Sequence, residues 1–308
     1  MDHPLVWVLI LVLLNFNTDV SGQVVVPSMN PLAVGSNVTL NLVPESPINI
    51  GTWSYETTTI VLFYPSGSIM STSYRGRVSF NRSSSELSIS SLQLNDSGRY
   101  TVQGMEPVLT AVVTLSVQEP ISNVTLRANA TDLVELNDTA IVTCSVSSGT
   151  SLSYRWMNGS SEVAASDRVR LGVGNSTFTI VSVTRYDEGP FRCEVINGIS
   201  NGTSQPIDLN VRYGPKQPVI AGAPIAETEQ RVTFNCSASS QPPSQFSWFF
   251  NGSQVATGSE YETGPLTLAS HGECTCVAFN NFTDRNSTAS KMLTIIGKSD
   301  YRFFALLC

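Results

Sequence analysis

Short runs of alternating apolar and polar residues, broken by glycine, proline, serine and asparagine, make up most of this chain, and no long run keeps a helical period. Each has the length of a strand with one buried face. Three of them open alike: Val38-Thr39-Leu40-Asn41-Leu42, Ala140-Ile141-Val142-Thr143-Cys144 and Val232-Thr233-Phe234-Asn235-Cys236. A tryptophan follows each by 11 or 12 positions, at Trp53, Trp156 and Trp248. Three later phrases close alike: Asp96-Ser97-Gly98-Arg99-Tyr100-Thr101-Val102, Asp187-Glu188-Gly189-Pro190-Phe191-Arg192-Cys193 and His271-Gly272-Glu273-Cys274-Thr275-Cys276. Matched offsets repeated three times predict three copies of one all-β unit.

Cysteine, core tryptophan and second cysteine in that order mark the immunoglobulin-type β-sandwich. The expected fold is therefore all-β, with three tandem immunoglobulin-like sandwiches. Leu42 lies 60 residues before Val102, Cys144 lies 49 before Cys193 and Cys236 lies 40 before Cys276. The longest span has room for the added C′ and C″ strands of a variable-type sheet, expected at Thr58 to Tyr64 and Ser68 to Thr72. The shorter spans suit the compact, seven-strand C2/I form. Asn158-Gly159 and Asn251-Gly252 mark hairpin turns between strands C and C′. Prolines at Glu119-Pro120 and Tyr213-Gly214-Pro215 end the last strand of a unit. The expected domains are 23–118, 119–213 and 214–296, after a signal peptide over 1–22 and before a short tail at 297–308.

The apolar run from Leu5 to Leu14 is too short to span a bilayer, and Val20 and Gly22 stand at signal-peptidase spacing, so the mature chain is expected to start at Gln23. Secretion favours disulfides between Cys144 and Cys193 and between Cys236 and Cys276. Strand alternation turns both Cys274 and Cys276 inward, and Cys236 could pair with either. The register of Trp248 favours Cys276, leaving Cys274 a buried thiol. The first unit lacks both cysteines: Leu42 and Val102 fill their places beside Trp53. Arg77 and Asp96 stand where a salt bridge would close the bottom of that sandwich. After Arg302 only six apolar residues remain, ending at Cys308, too few for a membrane span or a lipid-anchor signal. The chain thus reads as secreted, or as a cell-surface protein whose anchor lies outside it. Cys308 is expected to form an intermolecular bridge.

A net charge of −7 without clustered lysine or arginine argues against a nucleic-acid partner. His271 is the only histidine after the leader, which removes histidine-based triads and multi-histidine metal sites. No enzyme activity, cofactor or small-molecule substrate is expected. Thirteen glycosylation sequons, at Asn37, Asn81, Asn95, Asn123, Asn129, Asn137, Asn158, Asn175, Asn201, Asn235, Asn251, Asn281 and Asn286, exceed the roughly five that chance gives. They predict a glycosylated ectodomain. Residues 49–75 and 99–117 contain none, so one whole sheet of the first sandwich is bare. On it Ile60-Val61-Leu62-Phe63-Tyr64 is apolar at both strand parities, so some of these side chains face outward.

A first domain without a disulfide, the phrase Asn95-Asp96-Ser97-Gly98-Arg99-Tyr100-Thr101, the start Gln23, Ser28-Met29, Val34-Gly35 with Val38, and the Tyr213-Gly214-Pro215 junction together resemble the carcinoembryonic-antigen-related cell adhesion molecules. The likeness runs from Gln23 to about Ile296. It implies adhesion or recognition through the G, F, C, C′ and C″ strands of the first domain, with a second copy or a related immunoglobulin-family surface protein as partner. Gln103 matches the family's contact glutamine, Met105 stands where an exposed isoleucine is usual, and Thr52 where there is a contact serine. Asn49 and Gly51 replace family aromatics. The expected contact residues are Thr52, Ser54, Ile60, Leu62, Tyr64, Gln103 and Met105. The alternative is a soluble ligand or decoy that occupies a receptor without linking cells.

Overall fold

The computed structural model describes residues 22–297; the expected leader up to residue 21, most of the tail and Cys308 lie outside the described residues. The first sandwich contains β1 (Val24–Pro27), β2 (Leu32–Ala33), β3 (Val38–Val43), β4 (Ile50–Tyr55), β5 (Thr58–Tyr64), β6 (Gly67–Met70), β7 (Val78–Asn81), β8 (Glu86–Ile89), β9 (Gly98–Glu106), β10 (Val108–Leu115) and β11 (Val117–Gln118). One sheet runs β1-β3-β8-β7 and the facing sheet β10-β9-β4-β5-β6, the order G, F, C, C′, C″. The C″ strand starts one residue earlier and stops two earlier than expected, because Thr72–Tyr74 coil into a 3-10 turn.

Alternation alone puts Leu40, Leu42, Trp53, Tyr100 and Val102 into one dry core, where all are essentially inaccessible. Burying a side chain of the Leu or Val class contributes about 1.5–3 kcal/mol, so the apolar pair replaces a bridge with packing. The indole Nε1 of Trp53 donates to the Ser85 carbonyl at 2.9 Å, which satisfies its one polar group. At the base, Arg77 pairs with Asp96. The Gln93 amide donates to the same carboxylate at 2.7 Å, and the Tyr100 hydroxyl donates to the Asp96 carbonyl at 3.0 Å. Burial first, then the Asp96 charge, pushes the Tyr100 hydroxyl above its ordinary pKa, so it remains a donor.

The second sandwich contains β12 (Thr125–Ala128), β13 (Asp132–Val134), β14 (Ala140–Ser145), β15 (Ser153–Asn158), β16 (Ser161–Glu162), β17 (Val169–Leu171), β18 (Thr177–Ile180), β19 (Phe191–Ile196), β20 (Asn201–Thr203) and β21 (Asn210–Arg212). Its main sheets run β12-β14-β18-β17 and β16-β15-β19-β20. Cys144 and Cys193 are bridged between them, beside Trp156.

The third contains β22 (Val219–Ala221), β23 (Ile225–Glu227), β24 (Thr233–Ser237), β25 (Gln245–Phe250), β26 (Ser253–Thr257), β27 (Glu260–Glu262), β28 (Gly272–Asn280) and β29 (Arg285–Ile296). Its sheets run β22-β24-β27 and β23-β29-β28-β25-β26. The chain passes from β26 straight to β27, so the short span between its cysteines omits one strand of the first sheet. Asn251 and Gly252, both at positive φ, make the two-residue turn that joins β25 to β26. Cys236 is bridged to Cys276, and Cys274 is a buried free thiol. By packing, the chain divides into two compact units: the residues up to Ser122 with Ser147–Leu152 and Ile196–Asn201, and the remainder, which holds the whole third sandwich.

Candidate recognition face

The register of the five-stranded sheet draws one straight row across it: Thr110 on β10 opposes Gln103 on β9, which opposes Thr52 on β4, then Leu62 on β5 and Ile69 on β6. Opposed residues share a face, so all five point away from the core. A second row joins Val112, Thr101, Ser54 and Thr59. Leu62 is 38% exposed and Ile69 58%, so an aliphatic ridge marks the β5-β6 side. The other side carries Met105 at 68% and Val108 at 85%.

Two bulges shape this face. Between β4 and β5 the register jumps from Trp53 opposite Val61 to Ser54 opposite Thr59, which leaves Ile60 as the extra residue. Ile60 is therefore buried in the core with Val61 and is not a contact residue, contrary to its place in the expected set. Strict alternation put it on the same side as Leu62 and Tyr64, and the bulge reverses it. Between β4 and β9 the register jumps from Ile50 opposite Glu106 to Gly51 opposite Gly104, so Met105 is the extra residue and is thrust outward beside Val108.

Gly51 also lies on the core side. A Cβ there would stand 2.8 Å from the ring of Phe63 and 2.4 Å from the Gln103 carbonyl. Gly51 is thus the room that Phe63 needs, and it offers nothing to the outer face. Of the other expected contacts, Thr52, Ser54 and Tyr64 are half-buried and Gln103 is exposed. Sequence reasoning missed Ile69, Val108, Val112 and Thr110. The signal for the last three was the outward parity of β10 opposite Gln103, and for Ile69 that of β6 opposite Leu62, readable only once the pairing register is known.

The five strands carry two charged residues, Arg99 and Glu106, near opposite ends of β9. The Arg99 backbone amide donates to the Glu56 carboxylate at 2.8 Å. No sequon lies on these strands. Asn37, Asn81 and Asn95 are all exposed, Asn81 on β7 of the opposite sheet, and Asn37 and Asn95 in the connections before β3 and β9. Elsewhere the sequon asparagines are also exposed, except Asn158, which is half-buried at its hairpin. Among the described residues no group of three His, Cys, Asp or Glu side chains forms a metal-sized cluster. Among them, too, no helix is long and apolar enough to cross a membrane.

Residues 122–197 match the immunoglobulin domain family. The chain is a tandem array of immunoglobulin-like sandwiches. Among solved structures, murine CEACAM1b is 23% identical over 61% of this chain and 99% of its own, with a TM-score of 0.53. The mouse coronavirus receptor-binding domain complexed with its murine receptor gives 23% identity, the same coverages and a TM-score of 0.51. The full three-domain ectodomain of mouse nectin-like molecule 4 is 19% identical over 87% of this chain and 97% of its own, at 0.46. At these identities the likeness is one of fold.

Proposed function

We propose that this immunoglobulin-like chain is an extracellular recognition and adhesion glycoprotein that docks its partner on the outer face of β10, β9, β4, β5 and β6. The observation that carries the reading is the coincidence, on one sheet, of exposed aliphatic side chains, near-absence of charge and absence of sequons. Desolvating such a surface costs little, and no glycan stands in the way. The murine structures with the same fold, one of them described as a receptor in complex with a viral receptor-binding domain, support a recognition role for such folds.

A second copy of the chain is the partner that the charges favour. Arg99 and Glu106 are seven residues apart on β9, roughly 23 Å, with Gln103 close to the midpoint. A two-fold axis near Gln103 sets Arg99 of each copy against Glu106 of the other and stacks the two aliphatic ridges. A related immunoglobulin-family protein is the other outcome on the same face.

The test is aggregation of beads bearing the glycosylated full chain. Thr52→Asn, which with Trp53 and Ser54 completes a sequon at the centre of the face, should abolish it. Gln103→Ala and Met105→Ala should weaken it, since truncating a central contact costs at least about 1 kcal/mol. Arg99→Glu and Glu106→Arg beads should each fail alone and pair when mixed. Aggregation unchanged by all of these moves the site off this face. Capture of a different surface protein, lost with Thr52→Asn but indifferent to the charge swap, identifies a heterophilic partner.

A further inference from the structure

The connection between the second and third sandwiches, Tyr213-Gly214-Pro215-Lys216, lies within one compact unit and has its backbone bonded on the third-sandwich side. The Tyr213 amide donates to the Gln241 carbonyl at 2.8 Å, and the Gln241 amide donates back at 3.0 Å. The Lys216 amide donates to the Ser239 carbonyl at 3.0 Å. Buried Asn280, at the end of β28, donates to Ser240 and to the Pro242 carbonyl at 2.6 Å each. A segment tied down in this way has little freedom to act as a flexible linker.

Ionic groups cross the same junction. Glu135, the residue after β13, is buried, and its carboxylate accepts from Arg185 Nε at 2.8 Å and Nη2 at 2.6 Å, a two-point pairing. The Arg185 guanidinium lies 4.1 Å above the Tyr213 ring, so the same side chain holds the connection. From the third sandwich Arg285, at the start of β29, donates Nη2 to the Glu135 carbonyl at 2.8 Å, and its Nη1 stands 3.8 Å from the Glu135 carboxylate. Its stem lies against Gly214, where an added Cβ would come within 2.6 Å of the Arg285 Cβ. Arg212 extends the contact, its guanidinium 5.3 Å from the Phe282 ring. Hydrogen bonding from Arg185, opposed by burial, holds the Glu135 carboxyl below the ordinary carboxylate range, so it is charged at neutral pH.

We infer that Glu135, Arg185 and Arg285 form an ion-paired joint that makes the second and third sandwiches one stiff body, with Gly214 as the notch that admits Arg285. The joint is a conformational device separate from the recognition face. Trypsin reads it in the intact protein, because Arg212, the last residue of β21, and Lys216 place cleavage sites at the two ends of the connection. Native protein should resist cutting there. Arg285→Met, which keeps the stem and removes the charge, should raise the cutting rate on the order of tenfold, by populating the locally opened state. Gly214→Ala, which displaces Arg285 without changing any charge, should act in the same direction. Arg155→Met, which breaks the surface pair between Arg155 and Glu194 in the second sandwich, should leave cutting unchanged. Circular dichroism and intact disulfides check that each variant is folded. Cutting after Arg212 and Lys216 at the native rate in both joint variants, or equal acceleration by Arg155→Met, overturns the inference.

Discussion

The first and third sandwiches solve the same packing problem with different means. At the central position of the core the first has Leu42 against Val102, and the third a bridge between Cys236 and Cys276. Two residues earlier on the corresponding strand the first has Tyr100, whose hydroxyl is bonded to the Asp96 carbonyl, while the third has Cys274. At the base the first has the Arg77–Asp96 pair, and where Asp96 stands the third has Ser270, whose hydroxyl lies 3.2 Å from that of Thr267 and accepts from the Thr267 amide at 3.0 Å. The second sandwich is intermediate, with a bridge, Phe191 at the corner and an Arg168–Asp187 pair at 2.9 Å. Where the covalent link is missing, the polar closure is complete. The second sandwich has the bridge and an ion pair together, and only in the third are the corner tyrosine and the arginine–aspartate pair both replaced. A sandwich core thus needs its two sheets held together, and in the first sandwich packing with a polar lock stands in the place of the bond.

The largest effect that separates the two designs is removal of the bridge. Cys236→Ala with Cys276→Ala should cost the third sandwich about 2–5 kcal/mol and leave the first untouched. Hydrogen exchange resolved by peptide, before and after the change, shows whether loss is confined to β22–β29. Leu42→Ala is the counterpart in the first sandwich and should cost about 2–5 kcal/mol, felt by β1–β11 alone. Equal loss in both sandwiches from either change would mean that they do not unfold independently.

Alkaline pH gives a smaller and more specific contrast. Burial pushes the Cys274 thiol from an ordinary 9.0 to about 11. A pKa raised in the folded state means stability fully present below the unfolded value and lost as pH rises through the folded one. The third sandwich should therefore weaken between pH 9 and 11, by about 1.4 kcal/mol per unit. Cys274→Ala should remove most of that slope, as followed by urea midpoints. Because the thiol is buried, alkylation of native protein at pH 8 should be slow and should accelerate on unfolding.

The smallest effect is expected at the corner itself. Tyr100→Phe removes one hydrogen bond and keeps the ring, so about 0.5–1.5 kcal/mol should be lost from the first sandwich. A negligible loss would show that packing around Trp53 suffices without the lock.

Much of this contrast was legible in the sequence. The pairs Cys144–Cys193 and Cys236–Cys276, the tryptophans, Leu42 with Val102, and Arg77 with Asp96 all follow from counting along strands, since each lies at a fixed offset in a repeated unit. The outward residues Thr52, Leu62 and Gln103 follow from parity, because between bulges the strand period is two. Parity failed at Ile60 for the same reason that it worked elsewhere: one inserted residue inverts it, and nothing in an all-apolar run marks where the insertion falls.

The sequence by itself determined the number of sandwiches, their bridges and the sheet left free of sequons, because these depend on local period, spacing and short motifs. Only the tertiary structure decided that Ile60 turns inward and that Val108 lies outward beside Met105, why Gly51 is glycine, and that Glu135 meets Arg285 from 150 residues away. Those outcomes depend on cross-strand register and on the junction between sandwiches, where the partners of a residue are set by the whole fold and not by its neighbours in the chain.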